Sequence, residues 1–419
     1  MNIKFKNFIS LPLISSLIFM ILMNSGNLIS WIFQILITRH LSKEEISIFF
    51  SLVAFVGVII APFSTFNLYL QKRFISLIKN ENSLIPSLKD ILKFKIFYIC
   101  IITIILFTFK DNIFEKFQHY NTFTYLNFLC VFIFSILTIT PISIINSYQK
   151  YLIPGLIYIV ADFSKLILAF IFLNYFFGNK FDVVLMINLY FVSFIIIGNL
   201  IYVLKSIPIL NNNKYYSNNF YSRKNLKEVF LFMSYSLCTP ILINTDIIVV
   251  KWFYNSEISA NYILASTLSK ISYFFSSVLF SIIYNETIIK NLKIKADYSF
   301  ILTIVAILMS FLITLLVILF ADKIIIILYG MKFIDSLEIL YILCPTLFFI
   351  SIINLITNNL ISKNRFNFIF YFLFYLLTLV LILNYFNFEI IIFAKIQLLL
   401  VLTILIALII TFFLKKKDV

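Results

Sequence analysis

Charged residues are scarce in this chain of 419 residues, since Asp, Glu, Lys and Arg make up only 12% of it. A soluble domain carries about a quarter. There are six glycines and two histidines, and no glycine-rich loop of the P-loop type, so ATP is not expected to be the direct energy source. Without a Ser/His/Asp or Cys/His constellation, we expect neither an enzyme nor a metal site. The four cysteines lie in apolar runs and are predicted to be small buried hydrophobic residues: Cys100, Cys130, Cys238 and Cys344.

Apolar residues account for 62% of the chain. They come in runs of about twenty residues, the length with which an α-helix crosses roughly 30 Å of hydrocarbon. Because no water reaches the backbone there, such runs must be helical. The sequence therefore predicts an all-α integral membrane protein of about twelve transmembrane helices, at residues 8–38, 46–70, 94–109, 123–147, 153–176, 183–204, 228–250, 258–284, 298–320, 338–361, 368–386 and 389–414.

The net charge of +15 is explained by membrane topology rather than by a nucleic-acid partner. With the N-terminus inside, the inner segments carry 22 Lys and Arg residues and the outer segments carry 8. Cytoplasmic loops of membrane proteins have such an excess. Both termini are therefore predicted to be cytoplasmic.

A weak internal repeat divides the chain into halves. A displacement of 212 residues places Glu45-Ile46-Ser47 on Glu257-Ile258-Ser259. The same register pairs several polar residues of the two halves: Asn24 with Ser236, Asn27 with Thr239, Gln34 with Asp246, and Arg39 with Lys251. Many secondary transporters are built from repeats that enclose a substrate site. We predict six-helix halves at 1–204 and 228–419, joined by a cytoplasmic loop at 205–227, around a central cavity.

Polar and ionisable residues inside the predicted helices are the candidate cavity residues, because a charge at a helix centre is costly and generally faces protein or water. The candidates are Asn24, Asn27, Gln34, Arg39, Asp162, Lys165, Asp246, Lys270, Tyr273 and Lys395. Simpler explanations stay open. Polar side chains also hold helices together, Asp162 and Lys165 have the spacing of a self-neutralising pair, and Asp246 and Lys395 lie near enough to the outer surface to snorkel.

Two stretches carry a family resemblance. Residues 32–45 run from an apolar helix through Arg39 to Leu41-Ser42 and then acidic residues, which resembles the end of the first helix in polysaccharide-export flippases. The continuation Ile46-Ser47 departs from the aromatic residue and glycine usual there. A second set resembles the seventh and eighth helices of that family: Pro240, Asn244, Asp246, Lys251-Trp252, 261–265 and Lys270. In layout the whole chain is similar to O-antigen (Wzx-type) flippases of the multidrug/oligosaccharidyl-lipid/polysaccharide (MOP) exporter superfamily.

The resemblance implies a flippase in the bacterial inner membrane that moves undecaprenyl-pyrophosphate-linked oligosaccharides to the periplasmic leaflet by alternating access. Its partners would be the lipid-linked oligosaccharide, membrane lipids, and the glycan polymerase with its chain-length machinery. No cofactor is expected, and transport would be coupled to a proton or sodium gradient. Lys165, Lys270 and Lys395 are cations that suit a pyrophosphate.

Two alternatives remain. A drug or cation exporter of the same superfamily should have a cavity lined by carboxylates in its N-terminal half, where this chain offers only Asp162. An integral-membrane glycan polymerase should have a long outer loop rich in arginine, and the predicted outer loops are short.

Overall fold

The computed structural model describes residues 11–79, 85–117, 121–148, 150, 152–175, 178–206, 223–289, 296–362, 368–385 and 388–414. Fourteen α-helices occur in these residues. They are α1 (Leu11–His40), α2 (Lys43–Lys79), α3 (Ile85–Thr108), α4 (Lys110–Lys116), α5 (Thr122–Ser147), α6 (Leu152–Tyr175), α7 (Lys180–Ser206), α8 (Arg223–Phe253), α9 (Ser256–Ile289), α10 (Ala296–Leu319), α11 (Ala321–Leu328), α12 (Ser336–Ser362), α13 (Ile369–Tyr385) and α14 (Ile390–Leu414).

Each of the twelve predicted membrane helices is present, which confirms the all-α, multi-span membrane class. Within the described chain, eight helices are long and apolar enough to cross a membrane, or nine with the bent pair Ile304–Leu319 and Ala321–Leu328. Two short helices, α4 and α11, were not predicted. Each follows a long helix after one phenylalanine, Phe109 or Phe320, and their positions agree with the repeat register to within one residue. The two phenylalanines have similar backbone angles, φ −101° and ψ 17° against φ −112° and ψ 18°.

The predicted loop at 71–93 is largely helical. Helix α2 continues to Lys79 and α3 begins at Ile85, nine residues before the predicted start. Lys95, at the start of the predicted helix 94–109, is fully buried within α3. Hydrophobic length alone underestimated these helices, because polar turns can extend a helix beyond the hydrocarbon. Of the predicted 205–227 connection, residues 207–222 lie outside the described residues.

Local capping explains where two helices begin. Ser42 and Glu45 form a capping box before α2, in which the Ser42 amide donates to Glu45 Oε2 at 2.8 Å and the Glu45 amide donates to Ser42 Oγ at 3.2 Å. Before α9, Asn255 Oδ1 accepts from the amide of Ile258 at 2.9 Å. Both caps satisfy amides that have no partner in the first helical turn.

The chain forms two compact units. Unit 1 comprises Met1–Gln34, Phe63–Thr108 and Phe123–Phe230, and unit 2 comprises Ile35–Pro62, Phe109–Thr122 and Leu231–Val419. In unit 1, α6 packs along α7, and an aromatic cluster joins α2 to α3, with the rings of Phe63 and Tyr98 4.7 Å apart. In unit 2, α12 packs against α9, α10 and α14. The division into six-helix halves around a central cavity stays a prediction.

The cysteine prediction was correct only in part. Cys238 and Cys344 are buried, whereas Cys100 is exposed. An apolar run does not distinguish a helix face that packs against protein from one that packs against lipid, so burial of a given cysteine could not be predicted from its run.

Candidate functional site

Unit 1 contains a buried ion pair on α6. Lys165 Nζ lies 3.2 Å from Asp162 Oδ1, and their side chains are only 4% and 6% exposed. The same ammonium donates to Ser30 Oγ of α1 at 2.9 Å. It also lies 4.6 Å from the ring centre of Phe33 and 4.1 Å from that of Phe191. The lysine charge is thus satisfied by a carboxylate, a hydroxyl and two aromatic faces.

Close helix packing holds this pair in place. A Cβ at Gly26 of α1 would lie 3.1 Å from Asp162 Oδ2, so the glycine allows α1 to approach the carboxylate. Phe191 belongs to α7, and the pair therefore joins three helices of unit 1. This arrangement matches the self-neutralising alternative for Asp162 and Lys165.

A second buried lysine of unit 1 was not among the predicted site residues. Lys95 is 0% exposed. Its ammonium donates to the carbonyl of Ile136 at 2.9 Å and to Thr140 Oγ1 at 2.6 Å, next to Pro141 in α5. The carbonyl that Pro141 leaves without a helical donor is that of Leu137, so the proline does not account for the contact with Ile136, and no pattern in the sequence distinguishes Lys95.

Unit 2 contains a buried carboxylate on α8. Asp246 is 1% exposed, and its Oδ2 accepts from Tyr262 Oη at 3.1 Å and from Ser266 Oγ at 3.4 Å. Both donors belong to α9. Asp246 Oδ1 has no hydrogen-bond partner among the described residues. A buried carboxylate with an unpaired oxygen is unfavourable unless it binds a proton or a cation.

Gln397 of α14 completes this network. Its Oε1 contacts Tyr262 Oη, while its Nε2 is unpaired. A tyrosine has one O–H proton and cannot donate to Asp246 and Gln397 together. Turning the amide by 180° allows Nε2 to donate to Tyr262, and Tyr262 to donate to Asp246. Tyr262 and Gln397 carried no predicted role, because a tyrosine or glutamine in an apolar helix has no distinctive pattern.

Lys270 lies two turns further along α9 than Tyr262. The residue is 8% exposed, and its ammonium donates to Asn244 Oδ1 at 3.2 Å. This is its single hydrogen bond in the described structure, and no ion pair joins it to Asp246, although the two charges interact. A Cβ at Gly57 would lie 3.2 Å from Asn244 Nδ2, so α2 packs directly against the amide. An ammonium has three donors, and two of them make no hydrogen bond in the described structure.

Tyr273 lies one turn beyond Lys270 and is half-buried. Its hydroxyl accepts from Asn354 Nδ2 of α12 at 3.4 Å, and Asn354 Oδ1 accepts from Thr239 Oγ1 of α8 at 3.3 Å. The structure therefore brings Asp246, Lys270 and Tyr273 together in unit 2, with neutral hydroxyl and amide groups beside them.

The remaining predicted residues belong to both units. Asn27 is exposed and Gln34 is half-buried in unit 1, and the side chain of Asn24 lies outside the described part of the structure. Arg39 donates to the carbonyl of Leu328 at 3.0 Å and to that of Ile327. Lys395 is exposed on the face of α14 that also presents five large apolar side chains: Ile392, Leu399, Ile406, Ile409 and Ile410.

Comparison with known proteins places the chain by its fold. No protein-family model and no curated protein sequence matches it. An inward-facing multidrug resistance MATE family transporter of the MOP superfamily superposes with a TM-score of 0.70 at 11% identity, over 93% of this chain and 96% of that one. The lipid II flippase MurJ, in an inward closed conformation, gives 0.62 at 16% identity, over 94% and 87%. A MATE in a bent conformation gives 0.58 at 13% identity, over 96% and 95%.

These matches cover nearly the whole chain, and at such identities they establish the fold. The protein is a multi-pass integral membrane protein with the fold of MOP-superfamily transporters. The neighbours are named as transporters and a flippase, and the expectation that this chain is not an enzyme stays a prediction.

Proposed function

We propose that this protein is a flippase that moves an oligosaccharide linked to a lipid pyrophosphate across the bacterial inner membrane by alternating access. The observation that carries the proposal is the Lys270 ammonium. It is buried in a membrane helix, has one hydrogen bond to a neutral amide, and forms no ion pair in the described structure. Ionisable residues kept inside a membrane protein generally serve a substrate or ion pathway.

The surroundings of Lys270 suit such a substrate. A pyrophosphate provides several anionic oxygens that accept charge-assisted hydrogen bonds, and two donors of Lys270 make no hydrogen bond in the described structure. Tyr273, one turn further along α9, bonds to Asn354, which also bonds to Thr239, and these are uncharged groups of the kind that sugar hydroxyls require. The lipid tail would stay in the bilayer.

The Asp162–Lys165 pair disfavours the drug or cation exporter. Such an exporter is expected to bind its cargo at carboxylates of the N-terminal half, where the Asp162 charge is already neutralised at 3.2 Å by Lys165. The fold itself is compatible with either cargo, since the multidrug transporter superposes with a TM-score of 0.70 and the lipid II flippase with 0.62. The enzymatic alternative, a glycan polymerase, receives no support from the neighbours of the fold. O-antigen or another surface glycan as the cargo, and association with the polymerase and chain-length machinery, are part of the proposal.

An ion gradient would supply the energy. Asp246 is the residue we assign to the coupling ion, because its Oδ1 is buried and has neither a hydrogen bond nor an ion pair among the described residues. A proton or a sodium ion at this carboxylate would remove the unfavourable buried charge. The nearby Lys270 charge would then couple occupancy of the ion site to binding of the anionic substrate.

Deletion of the gene tests the proposal. Lipid-linked repeat units should accumulate on the cytoplasmic leaflet, surface glycan should be lost, and a plasmid copy should restore it. Susceptibility to cationic drugs should not change. Normal surface glycan together with increased drug susceptibility would instead establish the exporter.

A further inference from the structure

The end of α1 caps a helix of the other half of the chain. The last four carbonyls of a helix have no partner within it. In α11, those of Ile325 and Ile326 accept from the amides of Tyr329 and Gly330, the latter with φ +91°. The remaining two, of Ile327 and Leu328, accept from the Arg39 guanidinium. A cation at this end of a helix also interacts favourably with its dipole.

A reciprocal contact runs in the other direction. Lys332, just beyond α11, donates to the carbonyl of Leu41 after α1 at 3.2 Å. At the start of α2, Lys43 Nζ lies 2.7 Å from Glu257 Oε1 of α9 and 5.8 Å from the ring centre of Phe333. The junction between α1 and α2 is therefore attached to the α11–α12 corner and to α9.

An aromatic contact makes a second attachment. The ring of Trp252, at the end of α8, packs against that of Phe117, at the end of α4, with centroids 6.1 Å apart and planes at 72°. Phe117 is 0% exposed and also contacts Phe55 of α2 at 5.7 Å.

The two attachments are related by the internal repeat. The end of α1 corresponds to the end of α8, and α4 corresponds to α11. In each attachment, the first long helix of one half contacts the short helix of the other half. All of these residues belong to unit 2. The earlier part of α1, up to Gln34, and the later part of α2, from Phe63, belong to unit 1.

We propose that these two contacts form a latch that keeps the outer side of the transporter closed. The latch consists of the hydrogen bonds of Arg39 to the end of α11 and the ring contact of Trp252 with Phe117. Both contacts lie at the end of the protein that the loop charges predict to be periplasmic. It holds Ile35–Pro62 in unit 2, and it must release when the outer side opens. The inference rests on the proposed transport activity but not on the identity of the substrate.

Thiol accessibility tests the latch without any substrate. Ser51 of α2 is 0% exposed and bonds only to the carbonyl of Ser47 in its own helix. The reporter Ser51→Cys is placed in a full-length chain that lacks Cys100, Cys130, Cys238 and Cys344. A membrane-impermeant methanethiosulfonate is then added from the periplasmic side. Arg39→Ala should raise the modification rate at least about tenfold, the factor for a loss of roughly 1.4 kcal/mol, and Phe117→Ala should raise it as well.

The matched control is Lys323→Ala, which removes an exposed cation from the same helix α11 without touching a cap, and should leave the rate unchanged. If Arg39→Ala does not accumulate, Arg39→Gln, which keeps a donor, should give a smaller increase. An unchanged rate with the arginine variants, or an equal increase with Lys323→Ala, overturns the latch.

A crosslink tests the opposite case, in which the latch cannot open. The double variant Lys43→Cys and Glu257→Cys is made in a chain without the reporter, and its two cysteines are joined by a bifunctional thiol reagent. This link should stop export, and cleavage of the link should restore it. Continued export by the linked protein contradicts the latch. Accessibility results that follow the prediction in a protein that moves no lipid-linked glycan would refute the proposed function and leave the latch intact.

Discussion

Among the described residues each unit buries one aspartate and two lysines. Asp162 and Lys165 of unit 1 differ from Asp246 and Lys270 of unit 2 in that they form a direct ion pair. In unit 1, Lys165 contacts a carboxylate, a hydroxyl and two rings. In unit 2, Lys270 has one neutral partner, and Asp246 retains an unpaired oxygen. A direct ion pair contributes to helix packing, whereas buried charges in a membrane protein that have no direct ion-pair partner indicate a ligand or ion site. Burial alone therefore does not identify a binding residue.

The largest expected effect is at Lys270. Lys270→Ala should lower export about a hundredfold or more, since loss of roughly 3 kcal/mol of charge-assisted binding has this consequence. Lys270→Arg should retain part of the activity because the charge survives while its geometry changes. Quantified surface glycan and quantified protein in the membrane are the measurements. Full export by Lys270→Ala, or loss of the protein itself, would remove the residue from the binding site.

Breaking the pair in unit 1 should affect stability instead. Lys165→Met or Asp162→Asn alone leaves a buried charge without compensation, which costs about 3–5 kcal/mol. The double variant removes both charges and should recover most of that stability and export. Thermal unfolding of the purified protein and surface glycan are measured for all three. A stable double variant without export would show that the pair has a role in transport.

Two glycines offer a matched pair of smaller changes. Gly57→Ala places a methyl group 3.2 Å from Asn244 Nδ2, and Gly26→Ala places one 3.1 Å from Asp162 Oδ2. Alanine in a helix gains about 0.5–1 kcal/mol over glycine, which offsets part of the crowding. We expect both variants to change stability little, and only Gly57→Ala to reduce export, because it displaces the partner of Lys270. Equal export by the two variants would contradict the distinction between the units.

The smallest effect is expected at the exposed Lys43–Glu257 pair. Its hydrogen bond to Lys43 lowers the pKa of Glu257 below the ordinary value of 4.5. Because the pKa of Glu257 is lower in the folded state, the pair stabilises the fold when the pH is above the ordinary pKa of the carboxyl. This stabilisation is lost as the pH falls through the lower pKa of the folded state. Glu257→Gln should therefore lower the unfolding temperature slightly at pH 7 and not at all in strong acid. High salt should also abolish the difference, since exposed ion pairs are screened.

The predicted site shows how far single residues can be read from a sequence. Asp162 and Lys165 were recognisable as a pair because one helical turn separates them. Asp246 and Lys270 lie on different helices, and their difference from the unit 1 pair depends on Tyr262, Gln397 and Asn244, whose positions the periodicity does not indicate. Arg39 was predicted to line the cavity and caps α11 in the structure, and α11 itself was not predicted. A helix of eight residues is too short for a hydrophobic pattern to separate it from a loop.

The membrane class, the twelve long helices and their approximate bounds were determined by the sequence itself, because hydrocarbon permits only a backbone that is satisfied within each span. The repeat was visible for a similar reason, since it depends on register along the chain. The tertiary structure decided which buried charges are compensated, which helix ends are capped from a distance, and that Lys395 is exposed while Lys95 is enclosed. Those outcomes depend on which atoms of separate helices come within about 3 Å of each other, and a hydrophobic pattern specifies a helix face without specifying its neighbour.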